Sequence, residues 1–167
     1  MNLTAPEVFD LVLSQIKLLD TIAKTLGAKL HHVKPHGALY NISARDSFIA
    51  KAIAEAVKDF DPHLILFGLS GSHSIQQAKE LGLKTASEVF ADRTYGNDGS
   101  LTPRSLKGAL IENADKAVVQ ALQMIQEKTV TTLAGKKISI VAETICIHGD
   151  GKHAVEFAQQ IHEAIRK

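Results

Sequence analysis

The segment best equipped for chemistry is Lys34-Pro35-His36-Gly37, which follows an apolar-leaning run at residues 30–33. Pro35 lacks the N–H that would continue a strand ladder, and Gly37 permits a tight turn, so the segment is typical of a strand end. In an extended backbone, Lys34 and His36 point to the same side. An ammonium beside an imidazole that titrates near neutral pH suits acid–base chemistry on an anionic substrate. A solvated strand end explains the same residues, and both interpretations stay open.

Composition and charge place the chain in the globular class. It has 167 residues, the size of one domain, and 45% of them are hydrophobic, so we expect a single α/β domain over residues 1–167. The net charge of +1 favours neither a nucleic-acid partner nor an anionic membrane. Because Cys146 is the single cysteine, a disulfide framework and a cysteine-rich zinc site are excluded, and we expect a cytoplasmic protein. No apolar run reaches the roughly 20 residues of a membrane span.

Hydrophobic periodicity predicts strands and helices in alternation. The predicted strands are residues 30–34, 64–67, 85–90 and 144–148, with a hairpin at 130–140. The predicted helices begin at Thr4, at Ser43, after the turn at residues 68–72, at Asn113 and at Lys152, and a long polar loop occupies residues 91–106. The apolar run at 64–67 is typical of a strand covered on both faces. Right-handed crossovers then give a parallel sheet, either open or curved toward a barrel.

Polar side chains follow every predicted core strand. If the strands are parallel, their carboxyl ends share one edge, where α/β proteins bind ligands, so we expect these side chains to surround one cleft. They are Lys34 and His36 after the first strand, Ser70, Ser72 and His73 after the second, Glu88, Asp92, Arg93 and Tyr95 in or after the third, and His148 and Asp150 after the fourth.

Each part of this set also has a structural interpretation. The turn at residues 68–72 could hold an anion on its backbone N–H groups or could only cap a helix, and it lacks the lysine of a phosphate-binding P-loop. Glu88, Asp92 and Arg93 could form a structural ion pair. Cys146 is expected in the core. The sequence does not identify a set of metal ligands.

Five segments, in order, resemble the LamB/YcsF family: VKPHGALYN at 33–41, EVFADRTY at 88–95, LTPRS at 101–105, GALI at 108–111 and ICIHGDG at 145–151. The resemblance implies part of a distorted seven-stranded (β/α) barrel of the glycoside hydrolase/deacetylase type. It also implies ATP-dependent hydrolysis of 5-oxoproline to glutamate with partner subunits B and C. Whole barrels run to roughly 250 residues. We therefore expect this chain to be the C-terminal portion of a family barrel, beginning after N-terminal acidic and histidine motifs.

The matched motifs supply candidate site residues, and we hypothesise a role for each group. The catalytic set is Lys34, His36, Glu88, Asp92, His148 and Asp150, and the substrate-binding set is Tyr40, Asn41, Arg93, Tyr95 and Arg104. Lys34 and Arg93 would bind the carboxylate of the substrate or a phosphorylated intermediate. Glu88 or Asp92 would be the general base, and His36 or His148 would carry the proton.

Two other functions stay open at this point. One is a non-catalytic binding or assembly module of the same fold, and the other is a metal-dependent amide or acetyl hydrolase, by analogy with deacetylases. Exposed strand edges would pair with another chain, so we expect a homo-oligomer, most simply a two-fold dimer.

Overall fold

A computed structural model describes residues 3–149 and 154–166 of the chain. The chain divides into two compact units, Met1–Ala86 and Ser87–Lys167. Helices alternate with strands that pair in parallel, so the expected α/β class is confirmed, while the expectation of a single domain stays a prediction. No helix in the described part of the chain is both long enough and apolar enough to cross a membrane.

The first unit is built on two parallel strands and four helices. In β1 and β2, His32 lies opposite Ile65 and Val33 opposite Leu66. Its core is formed by small and β-branched side chains of the first and third helices, together with Leu64, Leu66 and Leu83. The elements are α1 (Ala5–Thr25), β1 (His32–Val33), α2 (Gly37–Arg45), α3 (Ser47–Phe60), β2 (Ile65–Leu69) and α4 (His73–Glu80), and β3 (Lys84–Phe90) begins in this unit.

Helix α1 begins where the sequence predicts. The Glu7 carboxylate accepts hydrogen bonds from the Thr4 backbone N–H at 2.8 Å and from the Thr4 hydroxyl at 2.7 Å. These bonds lower the pKa of Glu7. Apolar residues from Val8 to Leu26 form a helical stripe in the sequence, but only its first half is buried, at Val8, Val12 and Ile16. The second half is exposed, at Leu18, Leu19, Ile22 and Leu26.

The segment after β1 differs from the prediction. It forms a separate helix, α2, which begins at Gly37, so Ser43 lies inside a helix and does not open one. The next helix, α3, is capped by Asp46, whose carboxylate accepts from the backbone N–H groups of Phe48 and Ile49. The apolar pattern of this helix predicts that Phe48 faces inward, but it is 76% exposed, because the buried face of α3 begins at the next residue, Ile49.

Strand β2 was expected to be covered on both faces. Instead its residues alternate, with Leu66 buried and Ile65 and Phe67 half-buried. The ring of Phe67 stacks on that of His32, with centroids 4.4 Å apart. The apolar run therefore reflects ring stacking on one face and core packing on the other.

The second unit continues β3 and adds β6 (Thr144–Cys146) beside it in parallel, with Glu88 opposite Thr144 and Phe90 opposite Cys146. Between them come α5 (Ala114–Leu122), a wide π turn (Gln123–Glu127) and the predicted hairpin of β4 (Thr129–Thr131) and β5 (Lys137–Ser139). Helix α6 (Ala154–Ile165) closes the unit, and its Phe157 and Ile161 pack in a cluster with Ala91, Ala117 and Ala121. Cys146 was expected in the core but is only half-buried, because β6 has no fully buried position.

Candidate active site

A polar contact of the second unit joins the ends of β3 and β6. Asp92 Oδ2 accepts a hydrogen bond from the His148 backbone N–H at 2.9 Å, and it lies 2.8 Å from His148 Nδ1. The Asp92 side chain is 13% exposed and that of His148 is 26% exposed. Parallel pairing of the two strands brings these residues together across 56 positions of sequence. Both residues were predicted from the sequence, and the structure joins them directly.

The arrangement selects one tautomer of a neutral His148 ring. A carboxylate that already accepts the backbone N–H is an acceptor, so Nδ1 carries the proton toward Asp92, and Nε2 is left as the nitrogen that can accept one. The Phe90 ring stacks on the imidazole with centroids 5.6 Å apart and an interplanar angle of 27°. A half-buried imidazole held on one edge and one face is suited to proton transfer through its remaining nitrogen.

The second oxygen of this carboxylate, Asp92 Oδ1, is buried. No hydrogen-bond partner for it is present among residues 3–149 and 154–166. Asp150 was also predicted to belong to the site, but it lies outside the described residues.

Glu88 lies in β3, four residues before Asp92. Its side chain is 3% exposed, and it lies opposite Thr144 in the β3–β6 register. Its carboxylate is close enough to Tyr95 to contribute to the raised pKa of that phenol. Glu88 is therefore a buried carboxylate in the same part of the unit as Asp92, as the sequence predicts.

Arg93 has a different environment from the one expected of a substrate-binding residue. The guanidinium is 5% exposed and donates from Nη2 to the carbonyl of Thr102 at 2.6 Å and from Nε to that of Ala109 at 3.3 Å. Burial lowers the pKa of Arg93, and the nearby Arg104 lowers it further. The geometry makes Arg93 a clamp for the loop at residues 91–111.

Tyr95 is also an internal support. It is fully buried, and its hydroxyl oxygen accepts the backbone N–H of Phe90 at 2.7 Å. Burial is the main cause of its raised pKa, with Asp92 and Glu88 adding to it. A phenol in this position cannot contact a substrate without local unfolding. Arg104, by contrast, is exposed on the same loop and remains accessible to an anion.

The loop that carries these residues is more ordered than its composition suggests. Isolated bridges pair Arg93 with Leu110 and Tyr95 with Leu101. A side-chain contact next to the second bridge adds to this pairing, since the Thr94 hydroxyl lies 2.9 Å from that of Thr102. The loop therefore has strand-like pairing although it has no strand.

Two supporting residues were not predicted from the sequence. Gln120 on α5 donates to three backbone carbonyls at the end of β3, and Glu143 accepts the Ser87 N–H at 2.6 Å beside the start of the β3–β6 pairing. The sequence contains one indication for Gln120, a polar residue beside the inward-facing Ala121 of a predicted helix. It contains no indication for Glu143.

The predicted residues of the first unit surround the start of α2. Lys34 Nζ lies 5.7 Å from the centroid of the Tyr40 ring, within cation–π range. Tyr40 is buried and His36 is exposed at the N-cap position. Asn41 donates to the carbonyl of Gly37 at 2.9 Å, so it supports the helix it lies on. The expectation that these residues share one cleft with those of the second unit stays a prediction.

The turn at residues 68–72 is tight and leads into α4, where Ser72 occupies the N-cap position without a side-chain cap hydrogen bond. Ser72 N donates to the Leu69 carbonyl, and Gly71 has a φ of +73°. The Ser72 hydroxyl oxygen is sealed from solvent, which leaves the side chain unable to reach an anion from solvent. For metals, the described residues contain no group of three or more His, Cys, Asp or Glu side chains arranged to hold an ion.

Known proteins resemble this chain along its whole length. It is 52% identical over 165 residues to a protein from Tolumonas auensis named as the A subunit of 5-oxoprolinase, and 55% identical over 161 residues to one of the same name from Shouchella clausii. These alignments cover 99% and 96% of the chain but 66% and 64% of the relatives. The chain thus spans about two-thirds of the length of the curated relatives it matches.

A solved structure agrees with the sequence relatives. The crystal structure of a lactam utilization protein from Thermus thermophilus matches with a TM-score of 0.90 at 42% identity, over 99% of this chain and 66% of that one. The LamB/YcsF family itself matches over residues 1–167. On this evidence the chain belongs to the LamB/YcsF family.

Proposed function

We propose that the chain acts in the role of the A subunit of ATP-dependent 5-oxoprolinase, which opens 5-oxoproline to glutamate together with partner subunits B and C. The names of the relatives support the reaction, and their designation as one lettered component supports the existence of partners. The observation that ties the chain's own residues to the chemistry is the contact between Asp92 and His148.

The reaction needs a proton carrier. Opening the lactam forms a bond between a water oxygen and the ring carbonyl carbon, breaks the ring C–N bond, and leaves a proton on the nitrogen. His148 Nε2 would take the proton from water and return it to the leaving nitrogen, while Asp92 holds the opposite ring nitrogen and stabilises the transient imidazolium. ATP hydrolysis, carried out with the partner subunits, would supply the free energy that a stable lactam requires.

Two other residues of the second unit have proposed roles. The exposed Arg104 would bind the substrate carboxylate, since a guanidinium matches a carboxylate with paired N–H donors. Glu88 is the second candidate for the general base, because it is a buried carboxylate on the same strand.

The test is 5-oxoproline hydrolysis with ATP and the partner subunits, comparing wild type with His148→Ala. The matched control is His162→Ala, which removes an exposed imidazole from α6. We expect His148→Ala to lose activity by at least about 100-fold, in line with general acid–base catalysis, and His162→Ala to retain it. Full activity in His148→Ala would overturn the proposal.

The same assay separates the alternatives. A non-catalytic assembly module would bind the partner subunits without hydrolysing 5-oxoproline. A metal-dependent hydrolase would act without ATP and would lose activity to a chelator.

A further inference from the structure

Three backbone carbonyls converge on one side chain at the end of β3. Gln120 Nε2 lies 2.9 Å from the carbonyl oxygen of Phe90, 2.8 Å from that of Arg93 and 3.3 Å from that of Ala91. Gln120 reaches them from α5, some 30 positions further along the chain. A primary amide has two N–H groups, which suit the two short contacts to Phe90 and Arg93, while the longer contact to Ala91 shares one of them.

These carbonyls bracket Asp92 on both sides. The peptide carbonyl of Asp92 is also fixed, because it accepts the Ile111 N–H at 2.9 Å. Every carbonyl from residue 90 to 93 therefore has a donor, and the direction in which the Asp92 side chain leaves the backbone is set by those bonds. A partly buried carbonyl that lost its donor would draw the backbone toward another partner.

We propose that Gln120 is a positioning residue, which sets Asp92 and through it the tautomer and orientation of the His148 imidazole. The proposal rests on the proposed role of the Asp92–His148 pair. It extends that role to a helix residue whose side-chain hydrogen bonds, within the described part of the chain, go to backbone carbonyls. Gln120 binds the backbone on either side of Asp92, whereas Asp92 binds the imidazole ring of His148.

The test substitutes Gln120→Met, which keeps the length of the side chain and removes both N–H donors. Gln123→Met is the matched control, because Gln123 lies three residues further along and donates to the hydroxyls of Thr129 and Thr131 on the hairpin. The readout is the ¹⁵N spectrum of His148, identified by its loss in His148→Gln, together with hydrogen exchange of the His148 backbone amide.

In wild type and in Gln123→Met we expect a single tautomer with Nδ1 protonated. In Gln120→Met we expect averaging between the two tautomers and at least a tenfold faster exchange of the His148 amide, since the Asp92 acceptor is no longer held. If Gln120→Met does not fold, Gln120→Asn keeps the amide but shortens its reach, and the same two signals are measured.

An unchanged His148 tautomer and amide exchange in a folded Gln120 variant would overturn the proposal, even if hydrolysis fell. Failure of the proposed function gives a different result. The tautomer would then change in Gln120→Met while His148→Ala still hydrolysed 5-oxoproline normally.

Discussion

Arg93 Nη2 lies 2.6 Å from the carbonyl oxygen of Thr102, so the guanidinium crosses its own loop to bind a backbone group nine residues later. Replacing it by Met in Arg93→Met leaves the Thr102 and Ala109 carbonyls without that donor. We expect the free energy of unfolding to fall by about 1–3 kcal/mol, the usual cost of buried polar groups left unsatisfied.

Urea unfolding and trypsin cleavage of the loop at Lys107 measure this effect. The control is Arg104→Met, an exposed cation on the same loop, for which a change within about 0.5 kcal/mol is expected. If Arg93→Met proved as stable and as resistant to trypsin as wild type, the loop-clamp interpretation would be wrong.

Asp92→Asn tests the orientation of His148 within the reaction. An amide can present an N–H to Nδ1, which would favour the opposite tautomer and place the proton on Nε2. We expect ATP-dependent hydrolysis to fall by about 100-fold while the fold persists. Glu143→Gln is the control, since its carboxylate also accepts a backbone N–H, that of Ser87. Equal activities in the two variants would contradict the assignment.

Tyr95 predicts a pH dependence of stability. Burial raises its pKa above the ordinary value of 10.0, so the phenol stays neutral in the folded chain while it ionises in the unfolded chain. The unfolded state then binds fewer protons than the folded state above about pH 10, so this contribution to stability is complete below that pH and is lost as the pH rises.

The measurement is the free energy of unfolding of wild type and Tyr95→Phe from about pH 8 to about pH 11, a range that spans the ordinary phenol pKa. At the low end of that range the variant should be about 1–3 kcal/mol less stable, because the Phe90 N–H loses its acceptor. Above about pH 10 the wild type should lose stability more steeply than the variant, and parallel curves would show that Tyr95 ionises normally in the folded chain.

Gly68 allows β2 to approach α4 closely. A Cβ atom at Gly68 would lie 2.9 Å from Ser74 Cβ and 3.3 Å from Ile75 Cδ1, so Gly68→Ala should cost about 1–3 kcal/mol of unfolding free energy. Gly149→Ala is the control, since no atom of the described residues lies within 4 Å of its added methyl group. Thermal unfolding of both variants checks this, and a Gly68→Ala protein with wild-type stability would contradict it.

Sequence periodicity predicted most of the fold because long apolar stripes and caps are local signals. It predicted the start of α1 at Thr4 and the hairpin at residues 130–140. It missed α2, because Lys-Pro-His-Gly is typical of a turn and a short helix beginning at a glycine with φ of +60° carries no capping signal.

The site was predicted in part for a related reason. Asp92 and His148 follow strand ends, and parallel pairing then suffices to bring them together. The buried positions of Arg93 and Tyr95 depend on how the loop at residues 91–111 folds back on itself, which no local pattern encodes. The role of Gln120 was not predicted because its partners are backbone carbonyls. Every residue has a carbonyl, so the sequence does not show which ones a side chain will contact.

The β3–β6 pairing has a consequence for folding kinetics. Ser87 bonds Glu143 at one end and Asp92 bonds His148 at the other, and both pairs are separated by 56 positions. A slip by one residue would break both side-chain contacts at once and turn each side chain of β6 to the opposite face. Bringing together two strands that are so far apart in sequence is entropically slow, so the contact between Asp92 and His148 should form late in refolding. The rate at which the native His148 tautomer returns after dilution from denaturant would therefore report the rate at which β3 and β6 pair in register.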